Sequence, residues 1–233
     1  MVKIQWLGHA GFRISNKTTI IIDPFLTGNP KARVSLEEID RADIVCVTHG
    51  HGDHLGDSIE IAKRHNSTLV GIYEVAVFAN KKGIEKVEPM NIGGTIRIDD
   101  IEITMTEAKH SSDIVDANLP GGHSCGFVIT IDDLRIYHAG DTSLFSDMQL
   151  IGEVYKPDVA LLPIGDRFTM GPREAAMASE LIRPKVVIPM HYNTFPLITQ
   201  DPEHFSRCVK SLVPEVEVVL LAPGETYSVK KKD

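Results

Sequence analysis

The stretch Thr48-His49-Gly50-His51-Gly52-Asp53-His54 sets three imidazoles and a carboxylate within six consecutive positions. The chain has ten histidines in all, so three in one such run are poorly explained as the scatter of a polar loop. Borderline-soft divalent cations take neutral imidazole and carboxylate ligands, and this run supplies both. Gly50 and Gly52 give the backbone the freedom to turn side chains two residues apart toward one centre. Asp23, His110, Asp141 and His191 stand far apart in the sequence, each just after an apolar, strand-like run. A strand-end histidine taken singly is more often a hydrogen-bonded structural group than a ligand. Groups at strand ends of a layered α/β fold collect at one sheet edge, however, and their joint appearance beside the histidine run points to a metal centre.

The elements that must position these residues are readable from periodicity. Short β-branched runs at Lys3–Leu7, Phe12–Ile14 and Thr19–Ile22 predict strands, and the continuous apolar run Ile44–Val47 predicts one buried on both faces and ending at the histidine run. Helical spacing of Leu55, Ile59 and Ala62 predicts a helix from Leu55 to Arg64, followed by a strand at Leu69–Ile72 and a helix over Val75–Asn80. Thr95–Ile98 and Ile101–Met105 flank Asp99-Asp100 as an antiparallel hairpin. The second half carries strands at Gly126–Ile131, Leu134–His138, Val159–Pro163 and Val186–Pro189. Helices are expected near Leu144–Val154, over Pro172–Ile182, with Pro172 in its first turn, and near Pro202–Leu212. Strands at Val216–Leu221 and Thr226–Val229 close the chain. The polar, Gly-rich segment His110–His123 has no periodicity and reads as a loop over the site. Two halves of mixed sheet with interspersed helices predict an α/β sandwich of two sheets with helices outside.

At 233 residues, with 42% hydrophobic and 24% charged, the chain is ordinary for one globular domain spanning 1–233. A net charge of -8 with interspersed signs argues against a nucleic-acid partner, since counterion release needs clustered cations. The lysine run Lys230-Lys231-Lys232 reads as a solvated terminus. No run approaches the ~18 apolar residues of a membrane span, and Met1–Ile14 forms no secretory leader, so no membrane partner and a cytoplasmic location are expected. Cys46, Cys125 and Cys208, odd in number and widely spaced, read as thiols in a reducing compartment.

Leu7-Gly8-His9-Ala10, Ile22-Asp23-Pro24-Phe25, Thr48 to Gly56, Tyr137-His138-Ala139-Gly140-Asp141-Thr142 and Pro189-Met190-His191-Tyr192 together resemble the UPF0173 metal-dependent hydrolases of the metallo-β-lactamase superfamily. These are relatives of the ascorbate-6-phosphate lactonase branch, and the resemblance spans nearly the whole chain. It implies a four-layer αββα sandwich with two divalent metal ions, zinc by default and manganese as an alternative. Carried over by position, His49, His51 and His110 would hold one ion, Asp53, His54 and His191 the other, and Asp141 would bridge. His123 competes with His110 for the third position; His110 is preferred because it follows a strand and stands where the resembling proteins keep their ligand. Asp23 would brace the metal loop without touching metal, and His9 is a further candidate for that role.

What the resemblance implies chemically is hydrolysis, in which two adjacent cations share a water and make hydroxide available near neutral pH. Asp141 and Asp53 are the residues assigned to catalysis. The expected partner is a small, anionic, ester-like substrate, either a phosphodiester or a sugar-phosphate lactone, and a homo-oligomer is compatible with the sequence. Arg167, Thr169, Asn193 and Thr194 follow strand ends and could line its pocket; Arg167 could equally form a surface ion pair. Competing readings are a di-iron oxidoreductase, disfavoured because His51 stands where redox members carry an acidic ligand, and a metal-binding protein without turnover.

Overall fold

The structure is a computed structural model and describes residues 1–229; the lysine run 230–232 lies outside the described residues. The chain divides into two compact units, one comprising 1–92, 111–124 and the described residues from 221 on, the other 93–110 and 125–220.

In the first unit, β1 (Val2–Gly8), β2 (Gly11–Ser15) and β3 (Thr19–Ile22) form an antiparallel meander. The chain continues through β4 (Ile44–Val47), α1 (Gly52–Leu55), α2 (Ser58–His65), β5 (Thr68–Ile72), α3 (Tyr73–Lys81) and β6 (Val87–Met90). It enters the second unit as the antiparallel hairpin β7 (Thr95–Ile98) and β8 (Ile101–Glu107). The first unit then gains a short hairpin, β9 (Asp113–Ile114) and β10 (Leu119–Pro120). The second unit resumes with β11 (Cys125–Ile131), β12 (Leu134–His138), α4 (Met148–Tyr155), β13 (Val159–Pro163), α5 (Pro172–Ile182), β14 (Val186–Met190), α6 (Pro202–Leu212) and β15 (Glu217–Val218). β16 (Thr226–Val229) pairs with β1 in the first unit.

Each unit is built on a seven-stranded mixed sheet, ordered β16-β1-β2-β3-β4-β5-β6 in the first and β15-β14-β13-β12-β11-β8-β7 in the second. The strand pairs β3–β4, β4–β5 and β5–β6, and β12–β13, β13–β14 and β14–β15, are parallel. Parallel strands are normally buried on both faces, and every residue of β3, β4, β13 and β14 is buried. Each unit is thus mixed α/β, as the alternation of runs in the sequence predicts.

Four expectations need correction. The helix expected over Leu55–Arg64 is two helices, because Gly56 (φ +39) sits against Pro24, with only 2.4 Å between an added Cβ and the Pro24 carbonyl oxygen. The segment His110–His123, expected to be loop, holds the β9–β10 hairpin and a 3-10 turn at Val115–Ala117. The strand expected at Val216–Leu221 pairs only at Glu217 and Val218, opposite Val186 and Val187. α4 begins at Met148, four residues later than expected, and β6, which carries Pro89, had no expectation. β6 is an edge strand, where a residue without an N–H is tolerated.

Candidate metal centre

In the first unit, register places the site. Ile22 pairs with Cys46, and the Asp23 N–H donates to the Cys46 carbonyl at 3.1 Å, so Asp23 stands beside the end of β4. Its carboxylate accepts from the Thr48 N–H at 2.8 Å and the Thr48 hydroxyl at 2.6 Å, and His54 Nδ1 lies 2.8 Å from Oδ2. Asp23, Thr48, His49 and His54 are wholly buried. Asp23 is thus placed to brace the turn that carries the histidines.

The ring nitrogens His49 Nε2 and His51 Nδ1 approach to 3.0 Å. Two imidazole nitrogens at that separation either share a proton or point their lone pairs toward a common cation, so the donor set fits a divalent ion. His51 Nε2 lies 3.3 Å from Ser111 Oγ. The Ser112 hydroxyl accepts from Gly50 N–H at 3.2 Å and donates to the Gly121 carbonyl at 2.9 Å, pinning the β9–β10 hairpin to the histidine turn. Gly50 is required by that close approach, since a Cβ there would stand 2.8 Å from Ile114 Cγ1. His9 Nε2 lies 3.0 Å from Asp53 Oδ2, and ligand atoms of His9, Asp53 and His54 fall within 4.8 Å of one another. His9 also packs edge-on against Phe25 and His54.

The second unit gathers its own donors. β12, β13 and β14 run parallel in adjacent positions, and the loops after them carry Asp141, Asp166–Met170 and His191. Asp141 is 2% exposed, and its Oδ2 lies 3.0 Å from His191 Nε2 and 3.6 Å from His110 Nε2. Thr142 anchors this edge: its hydroxyl accepts from Lys109 N–H at 3.0 Å, and its carbonyl accepts from Met170 N–H at 3.0 Å. His123 is exposed.

Arg167 is exposed, with its guanidinium 5.7 Å from the Phe168 ring. Thr169 donates to the Met170 carbonyl at 3.3 Å, Asn193 Oδ1 accepts from Gln200 N–H at 2.8 Å, and Thr194 is buried. His9, Asp23, Asp166, Arg167, His191 and Asn193 all adopt positive φ. For residues with a Cβ, left-handed backbone costs roughly 1–2 kcal/mol each, and such strain tends to collect at functional sites.

All three cysteines are free, with Cys46 and Cys125 buried. Burial first, and the Asp23 carboxylate second, push the Cys46 thiol far above its ordinary range, so it stays protonated beside the site. Burial pushes the Tyr192 phenol up to about 12. Sequence reading assigned no role to Thr48, Ser111 or Ser112. The only signal for Thr48 was a hydroxyl residue between a buried strand and the first histidine.

With fold and donors described, the class follows: residues 18–192 match the family described as Beta-lactamase superfamily domain. The chain is 58% identical over 229 residues to a UPF0173 metal-dependent hydrolase of Methanopyrus kandleri, covering 97% of this chain and 99% of that one. A UPF0173 metal-dependent hydrolase of Archaeoglobus fulgidus is 52% identical, over 99% of this chain and 100% of its own length. The chain therefore belongs to the UPF0173 metal-dependent hydrolase family of that superfamily. Among solved structures, Igni18, a novel metallo hydrolase from Ignicoccus hospitalis, superposes with a TM-score of 0.88 at 41% identity, covering 98% of this chain and 99% of that one. Among the described residues, no helix is long and apolar enough to cross a membrane.

Proposed function

We propose that the chain, taken as one domain, is a hydrolase that uses two divalent ions on a small, anionic, ester-like substrate. In this reading His49, His51 and His110 would hold one ion and Asp53, His54 and His191 the other, with Asp141 assigned to both. The observation that carries it is Asp141 Oδ2, a nearly buried carboxylate oxygen facing His110 at 3.6 Å and His191 at 3.0 Å. One oxygen thereby meets an imidazole assigned to each ion. Zinc suits the donor set best, with manganese next.

Bound there, divalent ions would supply Lewis acidity and lower the pKa of a bound water toward neutrality. Asp141 accepts a hydrogen bond from the attacking water and orients it toward the scissile carbon or phosphorus. His9, at 3.0 Å, holds the Asp53 carboxylate in place. Two divalent ions set against Asp53 and Asp141 leave the centre positive, which favours an anionic substrate. Arg167, exposed on the loop after β13, offers a further cation for that substrate, and Thr169, Asn193 and Thr194 are the polar candidates to line its pocket. A phosphodiester or a sugar-phosphate lactone meets these requirements.

The test is a panel of chromogenic phosphodiesters and lactones offered to metal-reconstituted protein. Turnover of one class, abolished by chelator and restored by zinc or manganese, is expected. Metal-loaded protein that turns over none of them, or that instead consumes oxygen at a reducible iron centre, overturns the reading.

A further inference from the structure

Asp23 reaches His54 directly, but it reaches His49 only through the Thr48 hydroxyl. Thr48 Oγ1 lies 2.6 Å from Asp23 Oδ2 and 3.0 Å from His49 Nδ1, and all three residues are wholly buried. The direction of each bond in this chain follows from chemistry. A carboxylate has no proton to give, so the Thr48 O–H donates to Asp23. Its oxygen can then only accept from the imidazole, which puts the His49 proton on Nδ1 and the lone pair on Nε2. Nε2 is the atom that stands 3.0 Å from His51 Nδ1. By the same logic His54, with Nδ1 at 2.8 Å from that carboxylate, carries its proton on Nδ1.

We propose that Thr48 is a positioning residue whose hydroxyl relays the Asp23 carboxylate to His49, fixing the tautomer in which Nε2 is free to bind metal. One buried carboxylate thereby sets the tautomers of two histidines, one assigned to each ion. The proposal rests on the metal-binding role given above to His49. A threonine that only packed the end of β4 would serve equally well as valine, which has the same shape and no hydroxyl.

The experiment compares the wild-type chain with Thr48→Val and Thr48→Ser, using nitrogen-15 NMR of labelled imidazoles in metal-free protein and zinc competition against a chromophoric chelator. Metal-free wild type is expected to show His49 protonated on Nδ1. Thr48→Ser keeps that signature and binds zinc within about threefold of wild type, whereas Thr48→Val loses it and binds about 10–100-fold more weakly, the usual cost of removing a group that orients a ligand. A wild-type His49 protonated on Nε2 overturns the relay without any variant, so poor folding of Thr48→Val does not protect it. An unchanged tautomer and zinc affinity in Thr48→Val overturn it as well. Failure of the wild type to bind zinc defeats the metal-centre reading instead, while the tautomer measurement still decides the relay.

Discussion

Replacing Asp23 by asparagine changes one atom's chemistry at the point where the histidine turn is braced. Asparagine tolerates the left-handed backbone at this position (φ +44), so shape and strain are preserved. The amide oxygen can keep the 2.8 Å bond from Thr48 N–H, which forces the NH2 to the place where Oδ2 accepted from the Thr48 hydroxyl and His54 Nδ1. Both partners must then accept. The hydroxyl turns its proton to His49 Nδ1, His54 presents a bare Nδ1, and both rings move their own protons to Nε2. Two lone pairs assigned to metal are replaced by N–H groups in one substitution. Loss of one orienting partner costs about 10–100-fold in metal affinity, so a loss at or above the upper end, about 100-fold, is expected here. Any remaining donor-to-donor clash costs about 1–3 kcal/mol of folding stability. Zinc competition titration reads the first quantity and urea denaturation the second. Zinc affinity within about threefold of wild type would refute the reasoning.

Other consequences follow from separate parts of the structure. Gly56→Ala, with positive φ and 2.4 Å between the new Cβ and the Pro24 carbonyl oxygen, should lose about 2–4 kcal/mol in urea denaturation; Gly93→Ala, with positive φ but nothing within 4 Å, should lose only about 1 kcal/mol. Chelator treatment should lower the thermal midpoint by about 5–10 °C, the effect of removing a ligand present at roughly a hundred times its Kd from a chain of this size, with recovery on adding zinc. The Arg13 guanidinium, by hydrogen bond and charge, holds the Asp40 carboxyl below its ordinary range. Because the folded pKa is the lower one, this contribution is complete above the unfolded pKa of about 4 and is lost as pH falls through the folded value; Asp40→Asn should flatten that part of the acid limb in a stability-versus-pH series.

Much of the fold was legible because the local signals agree with the final packing. β4, α5, α6 and β16 begin and end where apolar runs, Pro172 and Pro202 place them. The candidate ligands were legible because imidazoles and carboxylates at strand ends have few other uses in such number. What was not legible depends on residues remote in sequence. The break at Gly56 is set by the Pro24 carbonyl against it, which the helical spacing of Leu55, Ile59 and Ala62 does not show. The positive φ of His9, Asp23 and His191 has no glycine to announce it, because the surrounding structure imposes it. Thr48 acquires a role only when β3 and β4 pair in the register that brings Asp23 alongside. The β9–β10 hairpin is only two residues per strand and is held by Ser112 and Gly121, a combination with no periodicity to detect.

The most direct test of the metal centre is elemental analysis of dialysed protein, run in parallel on wild type, His51→Ala and Asp141→Ala. About two divalent ions per wild-type chain are predicted, with clear loss in each variant and most in Asp141→Ala, whose carboxylate is assigned to both ions. A wild-type chain that holds no metal, or variants that keep the full complement, would contradict the account.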